Sequence, residues 1–415
     1  AGAALRQPSL PPWLPDAVRA ETASLSARSS YHFADMAPAA VEALYGKTLP
    51  LSASKLDCFA GCRYAFFLQY GLRTLPWKQA EFDAPLFGSF VHDVLEHVVR
   101  EAQAQGGFAA LTDAQVAALT ERCMDACMQT YLPQSDARAS REGYLSTRNR
   151  QEAAAVVLDV ARELRLSQFT PAAEELTFAP GAQMPPIVYH ASRGDGLLTG
   201  KIDRVDTYEK DGTTYFRIVD YKTGRKDFSY TDLLYGKDLQ MLLYLFALQE
   251  NQKKSGHPMQ PAGALYVPGR CDMIRLEPGE DVGEADTERR KQLRRKGLVL
   301  QDEAILRAME HYDDEPQYLP VQCKKDGLTG DLATPAQLAA LERFVTGQVA
   351  AMIDEILSGK TQPNPVDRGP ADSACRWCDY SSACLKDVCA VSPRRFAAVK
   401  ADEFWQEIER RQRHG

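Results

Sequence analysis

Two aspartates and a lysine lie where they could share one catalytic site: Asp203, Asp220 and Lys222. Asp220 and Lys222 are two residues apart in a predicted strand, and strand side chains alternate, so both face the same side. Carboxylate oxygens suit a hard divalent cation such as Mg2+ or Mn2+, which neutralises a phosphate and lowers the pKa of a water molecule. A lysine beside that water orients it and stabilises the charge developing on the phosphate oxygens. The trio therefore indicates metal-assisted chemistry at a phosphate.

The elements that must position these groups are a hairpin and a helix. Residues 197–206 and 215–221 have the pattern of strands, and Asp-Gly at 211–212 is a strong hairpin signal. Asp206, three positions after Asp203, faces the other side of its strand and is expected to be structural. Within 87–99 apolar residues recur every three or four positions, which predicts an amphipathic helix. That helix carries His92, whose imidazole would add a ligand for the cation.

The surrounding patterns predict an α/β protein. Further strands are predicted at 176–179 and 263–267, and a strongly apolar helix at 233–249, so the catalytic core spans about 172–270. An all-helical insertion precedes it at about 108–170, and a long helix at 337–357 follows it. The predicted order in the catalytic core, from 197 to 267, is thus two strands, a helix and a further strand.

Four other segments complete the predicted organisation. Residues 1–34 are rich in Pro, Ser and Ala and are expected to form an arm or linker before a large domain of 35–390. Residues 278–297 hold an acidic run followed by a basic run, with almost no large apolar side chain, and are expected to be an exposed charged loop. A cysteine loop is expected at 363–389 and a tail helix at 391–415.

Three of the ten cysteines form a compact group, Cys375, Cys378 and Cys384. Ten cysteines in 415 residues are too sparse for a disulfide scaffold, and clustered thiols in a reducing compartment indicate metal ligands. A four-thiolate site would need one more ligand. Zinc is the main rival to an iron-sulfur cluster, but structural zinc sites usually pair two Cys-x2-Cys knuckles and this chain has one, which favours iron and sulfur.

Composition excludes several classes of protein. The 49 basic and 56 acidic residues give a net charge of -7, so no global positive field binds nucleic acid and any such contact must be local. The longest apolar run, 241–248, is far shorter than the roughly 20 residues needed to span a bilayer. No signal peptide core is present at the N-terminus. We expect a folded cytoplasmic protein with no membrane partner.

Four motifs resemble, in order and spacing, those of the PD-(D/E)XK nuclease superfamily and specifically its RecB-like branch: Gly88-x3-His92, Gly200-x2-Asp203, Asp220-Tyr221-Lys222 and Gln240-x3-Tyr244. The resemblance implies a restriction-endonuclease-like core, with a mixed central sheet flanked by helices. Any one motif alone would be better explained as an ordinary strand end or a surface histidine. Their joint order favours the nuclease interpretation.

The same resemblance implies a role for each motif residue. The implied metal ligands are His92, Asp203, Asp220 and the carbonyl of Tyr221. Lys222 is the implied catalytic lysine. Gln240 and Tyr244 are implied to position the active site and the DNA on the helix that follows.

From about residue 35 to 390 the chain also resembles the AddB family, one of the two kinds of chain in bacterial ATP-dependent helicase-nucleases. The resemblance implies a 4Fe-4S cluster whose first ligand is Cys62 and whose others are Cys375, Cys378 and Cys384. Such a cluster would fasten the start of the nuclease domain to its end. Cys58 lies one turn before Cys62 and Arg63 replaces the family's proline, so the choice of first ligand stays open.

The resemblance implies a metal-dependent DNA exonuclease domain that acts on a single-stranded end during recombinational repair of double-strand breaks. ATP hydrolysis would come from an AddA-type partner, since the P-loop-like residues 46–48 lack the first glycine, and the rest of the protein would lie upstream of residue 1. One alternative is a stand-alone iron-sulfur nuclease of the CRISPR-adaptation type, against which the N-terminal arm and the charged segment weigh. Another is a catalytically silent DNA-guiding module, against which intact Asp203, Asp220 and Lys222 argue.

Overall fold

The computed structural model describes residues 34–75, 84–131, 141–271, 282–325, 327–369, 372–384 and 393–414, with positions 16, 18, 20, 21 and 274. The arm predicted for residues 1–34 lies almost entirely outside the described residues. Parts of four other predicted segments lie outside them too: 132–140 of the helical insertion, 278–281 of the charged loop, 370–371 and 385–389 of the cysteine loop, and 391–392 and 415 of the tail.

A six-stranded mixed sheet forms the centre of the molecule. In spatial order its strands are β11 (Leu332–Ala333), β8 (Lys296–Leu300), β7 (Met259–Pro268), β6 (Thr213–Lys222), β5 (Gly200–Lys210) and β2 (Thr170–Phe178). The β11–β8 and β7–β6 pairs are parallel and the other three are antiparallel. The remaining described strands form a three-stranded sheet and a short hairpin: β1 (Thr48–Leu51), β3 (Ile187–Ala191), β4 (Gly194–Leu198), β9 (Val321–Lys324) and β10 (Gly327–Gly330). The predicted mixed sheet is confirmed.

Helices pack on both faces of this sheet. Those in the described residues are α1 (Pro38–Tyr45), α2 (Ala53–Gly61), α3 (Arg63–Phe66), α4 (Ala84–Ala104), α5 (Asp113–Tyr131), α6 (Arg141–Leu166), α7 (Tyr230–Leu234), α8 (Gln240–Lys254), α9 (Val282–Leu293), α10 (Glu303–Met309), α11 (Pro335–Leu357), α12 (Ser381–Cys384) and α13 (Ala401–His414). Neighbouring side chains of β6 enter different cores, since Ile218 packs with α8 and α11 while Val219 packs with α4 to α6. Strand alternation therefore explains why the sheet is covered twice.

The hairpin that carries the predicted site forms as expected. β5 and β6 pair in register from Lys210 opposite Thr213 to Arg204 opposite Val219. The two loop residues both adopt left-handed backbone angles, with φ 52° at Asp211 and 75° at Gly212. Two positive φ values match the right-handed twist of the flanking strands, which is why Asp-Gly favours this turn.

The helix predicted over 233–249 is wrong as a single element. The chain forms α7, leaves helical geometry and starts again as α8 at Gln240. Positive φ values of 78° at Gly236 and 56° at Asp238 end the first helix. The apolar pattern continues through the break because Leu239 is buried as well, so hydrophobicity alone did not reveal it. The break places Gln240 in the first turn of α8.

The exposed loop predicted for 278–297 is also corrected. Its described part is helix α9 followed directly by β8, a strand inside the central sheet. Arg295, in the basic run, is fully buried against Asp159 and Glu163 on α6. The sequence pattern missed this because the charges that compensate Arg295 lie 132 and 136 positions earlier.

Among the described residues, no helix combines the length and the apolar character needed to cross a lipid bilayer.

Candidate active site and cysteine pocket

The predicted site residues of three elements meet at the Asp203 carboxylate. The backbone amide of Tyr221 on β6 donates a hydrogen bond of 2.8 Å to Asp203 Oδ2. His92 Nδ1 on α4 lies 3.2 Å from the same oxygen. Asp203 is 8% exposed, so these contacts take the place of water around a buried carboxylate.

His92 sits between two acceptors. Its Nε2 lies 2.6 Å from the carbonyl oxygen of Tyr221, while its Nδ1 faces Asp203. Gly88, one turn earlier on α4, lets the end of β6 come close, because a Cβ there would lie 3.0 Å from the hydroxyl of Thr223. The space that Gly88 leaves is therefore filled by the strand that carries the predicted lysine.

Asp220, Lys222 and Gln240 form the second half of the site. Lys222 Nζ lies 2.5 Å from Asp220 Oδ2, and the amide of Gln240 donates a 3.0 Å hydrogen bond to Asp220 Oδ1. Lys222 Nζ is also 3.4 Å from Gln240 Oε1. Gln240 thus holds the carboxylate and the ammonium together, and it reaches them because α8 begins at this residue.

The electrostatics of the site reflect crowded negative charge. Burial and the nearby charge of Asp203 raise the pKa of Asp220, and the opposing effect of Lys222 does not cancel them. Burial lowers the pKa of His92, but its hydrogen bond to Asp203 and the charges of Asp203 and Asp220 outweigh that, so the net pKa is raised. Both shifts mark a site that favours added positive charge.

Tyr244 holds the start of β5 in place. Its ring packs edge-on against Phe178, with 5.1 Å between ring centroids, and it makes a hydrogen bond with the Lys201 backbone. A Cβ at Gly200 would lie 2.6 Å from Phe178 and 2.7 Å from Tyr244. The glycine of one motif and the tyrosine of another are therefore in direct contact, which explains why both residue types are needed.

A buried charge network supports the strand behind the site. Arg204 donates to the Tyr221 hydroxyl at 2.7 Å and to Asp206, as strand alternation predicted by directing Asp206 away from the site. The network continues through three arginines and three carboxylates: Arg204, Arg217, Arg295, Asp206, Glu163 and Asp159. Burial opposes ionisation of Glu163, but the arginines around it lower its pKa to about 2. Pairing of opposite charges offsets the free-energy cost of burying these side chains, and the network links α6 to Tyr221.

One carboxylate near the site was not predicted. Glu175 on β2 lies opposite Asp203, between the Glu174–Arg204 and Leu176–Ile202 pairs. Ligand atoms of His92, Glu175 and Asp203 all lie within 4.8 Å of one another. No local motif marks Glu175, and the only sequence signal available was its position in a strand that had to pair with β5.

The donor set fits a hard divalent cation. His92 contacts both Asp203 and the Tyr221 carbonyl, the charge of Asp220 acts on His92, and oxygen donors with one imidazole suit Mg2+ or Mn2+. Both neighbours of the His92 ring are acceptors, so the ring must carry two protons to satisfy them. Asp220 Oδ2 is buried beside the Lys222 ammonium. A cation bound by one nitrogen of the His92 ring would take the place of one of these protons.

The four predicted cluster cysteines line one small pocket, together with Tyr64, Pro363, Pro365 and Tyr380: Cys62, Cys375, Cys378 and Cys384. Cys62 comes from the start of the domain and the other three cysteines come from its end, so the pocket brings together thiols from distant parts of the chain.

Cys58 and Cys62 differ in position. Helix α2 is capped by Ser52 and ends at Gly61, so Cys58 lies on the helix and Cys62 lies just after it. Cys62 follows with extended backbone angles and lines the pocket. Cys58 points its thiol to Gln69 at 3.5 Å, and burial raises its pKa to about 12. The geometry favours Cys62 over Cys58 as the ligand.

Protein contacts also join the two ends of the domain near this pocket. The Val366 amide donates to the Gly61 carbonyl at 2.9 Å, and the Arg63 amide donates to Asn364 at 2.9 Å, 301 positions away. Arg63 also pairs with Glu355, and Arg394 donates to the carbonyl of Ala60. The start and the end of the domain therefore meet through polypeptide contacts as well as through the cysteine pocket.

The fold agrees with a comparison to known protein families. The model of the PD-(D/E)XK nuclease superfamily matches residues 50–385, and the chain belongs to that superfamily.

Similar curated proteins are named as the B subunits of ATP-dependent helicase/deoxyribonucleases. Those of Thermoanaerobacter sp. (strain X514), Caldanaerobacter subterraneus subsp. tengcongensis and Clostridium kluyveri are 31%, 32% and 31% identical to 83%, 84% and 89% of this chain. The resemblance to the AddB family is thereby confirmed. The chain spans about a third of the length of these relatives, because the matches cover 30%, 30% and 33% of them.

We predict that Gly200→Ala lowers thermal stability, since the added Cβ displaces Tyr244 and Phe178 and overpacking costs about 1–3 kcal/mol. Thermal unfolding followed by circular dichroism measures the effect. Gly347→Ala, on the exposed side of α11 with no atom within 4 Å of its Cβ, is the control and should leave stability unchanged or slightly higher. Equal stability of Gly200→Ala and wild type would contradict the packing described for this motif.

Proposed function

We propose that this chain is the metal-dependent DNA exonuclease domain of an ATP-dependent helicase-nuclease complex. The observation that carries the proposal is the convergence of His92, Asp203, Asp220, Lys222 and the Tyr221 carbonyl at one end of the β5–β6 hairpin. The family supplies the nuclease class, and the names of the relatives supply the deoxyribonuclease and helicase context.

In this mechanism Asp203, Asp220, His92 and the Tyr221 carbonyl would hold Mg2+ or Mn2+. When bound, the ion would neutralise the scissile phosphate and lower the pKa of the attacking water. Lys222 lies beside Asp220 with its side chain 28% exposed, so it can reach the phosphate, orient the water and stabilise negative charge on the phosphate oxygens. Gln240 fixes both partners of that pair. Tyr244 keeps β5 in register with the site.

A basic cleft beside Lys222 supports nucleic acid as the substrate. Its volume is about 270 Å³, and six of its lining side chains are basic: Lys222, Arg225, Lys226, Arg270, Lys291 and Lys296. Asp227 and Glu288 are its acidic members. A positive cleft on a chain of net charge -7 concentrates attraction for phosphates at the site. Part of this cleft is built by α9, from the segment expected to be an exposed loop.

The partner and the biological setting follow from the relatives. Their names describe one component of an ATP-dependent helicase/deoxyribonuclease, so we infer an AddA-type partner that hydrolyses ATP and delivers a single-stranded end. This context favours double-strand break repair over the stand-alone nuclease of CRISPR-adaptation type. The complete set of Asp203, Asp220 and Lys222 favours catalysis over a silent DNA-guiding role.

We further propose that the cysteine pocket holds a 4Fe-4S cluster bound by Cys62, Cys375, Cys378 and Cys384. The four cysteines line one pocket, and the single Cys-x2-Cys knuckle among them favours iron and sulfur over a structural zinc ion. The cluster would be structural, because it closes a loop of about 300 residues and such a cross-link removes unfolded-chain entropy on the order of 5 kcal/mol. Contacts such as Val366 to Gly61 would keep part of this junction without it.

Replacing the proposed catalytic groups should abolish cleavage without unfolding the protein. We expect Lys222→Ala and Asp220→Asn to lower Mg2+-dependent cleavage of end-labelled single-stranded DNA by at least about 100-fold. Asp220→Asn should not lower thermal stability, because the pKa of this buried carboxyl is raised and the charged form is disfavoured. EDTA should stop the wild-type enzyme.

The matched control is Lys254→Ala, at the far end of α8 and about 20 Å along the helix from Gln240. It should cleave at the wild-type rate. Cleavage that survives both Lys222→Ala and Asp220→Asn, or that persists in EDTA, would refute the site assignment.

The cleft predicts a local, salt-dependent contribution to DNA affinity. In an Asp220→Asn background that prevents cleavage, Arg225→Gln should weaken binding of fluorescent single-stranded DNA and reduce the slope of log affinity against log salt by about 0.7 for each lost phosphate contact. Fluorescence anisotropy titrations at several salt concentrations measure both. Arg413→Gln on the exposed face of α13 is the control. An Arg225→Gln slope equal to that of the control would exclude the cleft as the DNA path.

The cluster predicts coupled changes in colour, iron content and stability. After anaerobic purification, Cys62→Ser or Cys378→Ser should lose the brown absorbance and unfold at a lower temperature, whereas Lys222→Ala should keep both. Cys58→Ser should behave as wild type, since serine can still donate to Gln69. A colourless wild-type protein with stoichiometric zinc would contradict the cluster and leave the nuclease assignment untouched.

A further inference from the structure

Glu175 is placed in the cation site by the sheet itself. Glu175 lies between the Glu174–Arg204 and Leu176–Ile202 pairs of β2 and β5, which brings it level with Asp203. A carboxylate oxygen of Glu175, a nitrogen of His92 and an oxygen of Asp203 lie within 4.8 Å of one another. This is the only group of three such ligand atoms in the described part of the chain.

The backbone at Glu175 is strained. Its φ is 54°, a left-handed value in the middle of β2, where a non-glycine residue costs on the order of 1–2 kcal/mol. Neither Glu174 nor Leu176, its neighbours in the strand, has a positive φ. Backbone strain at a single residue persists only when the surrounding structure holds that residue in place. Here the strained residue is Glu175, which lies beside Asp203.

The only ion pair of Glu175 among the described residues does not account for this arrangement. Glu175 pairs with Lys201, whose side chain is 53% exposed while that of Glu175 is 17% exposed. An ion pair with so exposed a lysine contributes little stability. A largely buried carboxylate beside Asp203 adds negative charge to a crowded site, so its presence there costs free energy unless a cation compensates it.

We propose that Glu175 is a further protein ligand of the divalent cation, acting with His92 and Asp203, and that Lys201 orients its carboxylate. This inference rests on the proposed metal-dependent function and adds a ligand that the four sequence motifs do not contain. Glu175 would raise the number of carboxylates around the ion from two to three, which strengthens binding of a hard cation.

The test measures Mn2+ binding rather than cleavage. The electron paramagnetic resonance signal of free Mn2+ is recorded during titration of wild type, Glu175→Gln, Glu175→Gly and Lys201→Gln. We expect both Glu175 variants to bind Mn2+ at least about 10-fold more weakly, the range typical of losing a group that supports a metal site. Lys201→Gln should bind as tightly as wild type or more tightly, because it removes only positive charge.

Thermal unfolding in EDTA separates a ligand from a structural residue. Glu175→Gly should unfold at a temperature no lower than wild type, because glycine adopts the left-handed backbone without strain.

Wild-type Mn2+ affinity in Glu175→Gln would overturn the inference. An equal loss of Mn2+ affinity in Lys201→Gln would also overturn it, because the effect would then belong to the ion pair. If the wild-type protein bound no Mn2+, both the Glu175 inference and the proposed metal-dependent function would be refuted. Mn2+ binding and cleavage by wild type, with no effect of Glu175→Gln, would overturn this inference alone.

Discussion

The whole site depends on burying two carboxylates within reach of each other. Asp203 and Asp220 are 8% and 3% exposed, and like charges in such surroundings are unfavourable unless positive charge compensates them. His92 from α4 lies beside Asp203, and Lys222 from β6 lies beside Asp220, so each carboxylate has a basic partner. The oxygen donors of the site also suit a divalent cation. The helix, the hairpin and α8 are arranged so that these groups lie in two adjoining sets of contacts.

The strands and helices around the site are held by packing contacts and buried ion pairs that do not themselves take part in the chemistry. Gly88 lets β6 approach α4, and Gly200 lets Tyr244 pack on β5. Behind Tyr221, balanced buried charges connect Arg204 to α6. Since the Tyr221 amide and carbonyl both face the site, anything that fixes this residue also fixes the positions of Asp203 and His92 relative to each other. Stability and function therefore share the same residues here.

The sequence predicts the parts of this arrangement that are local. The hairpin and α4 follow from alternation, helical spacing and the Asp-Gly turn, and the four motifs were identified by their resemblance to the nuclease superfamily. Each of these features lies within a short segment. Three features required tertiary information. The break before Gln240 is hidden by continuous apolar residues, Arg295 is buried by carboxylates more than 130 positions away, and Glu175 reaches the site only through the register of β2 with β5.

We propose that His92, Asp203, Asp220 and the Tyr221 carbonyl bind one divalent cation. Anomalous diffraction from crystals grown with Mn2+ tests this binding directly, because the ion's position is located independently of activity. We expect an anomalous peak within about 2.0–2.4 Å of these ligand atoms, typical of hard divalent cations bound by oxygen. Mn2+ bound elsewhere, with His92 still bridging Asp203 and the Tyr221 carbonyl, would contradict it.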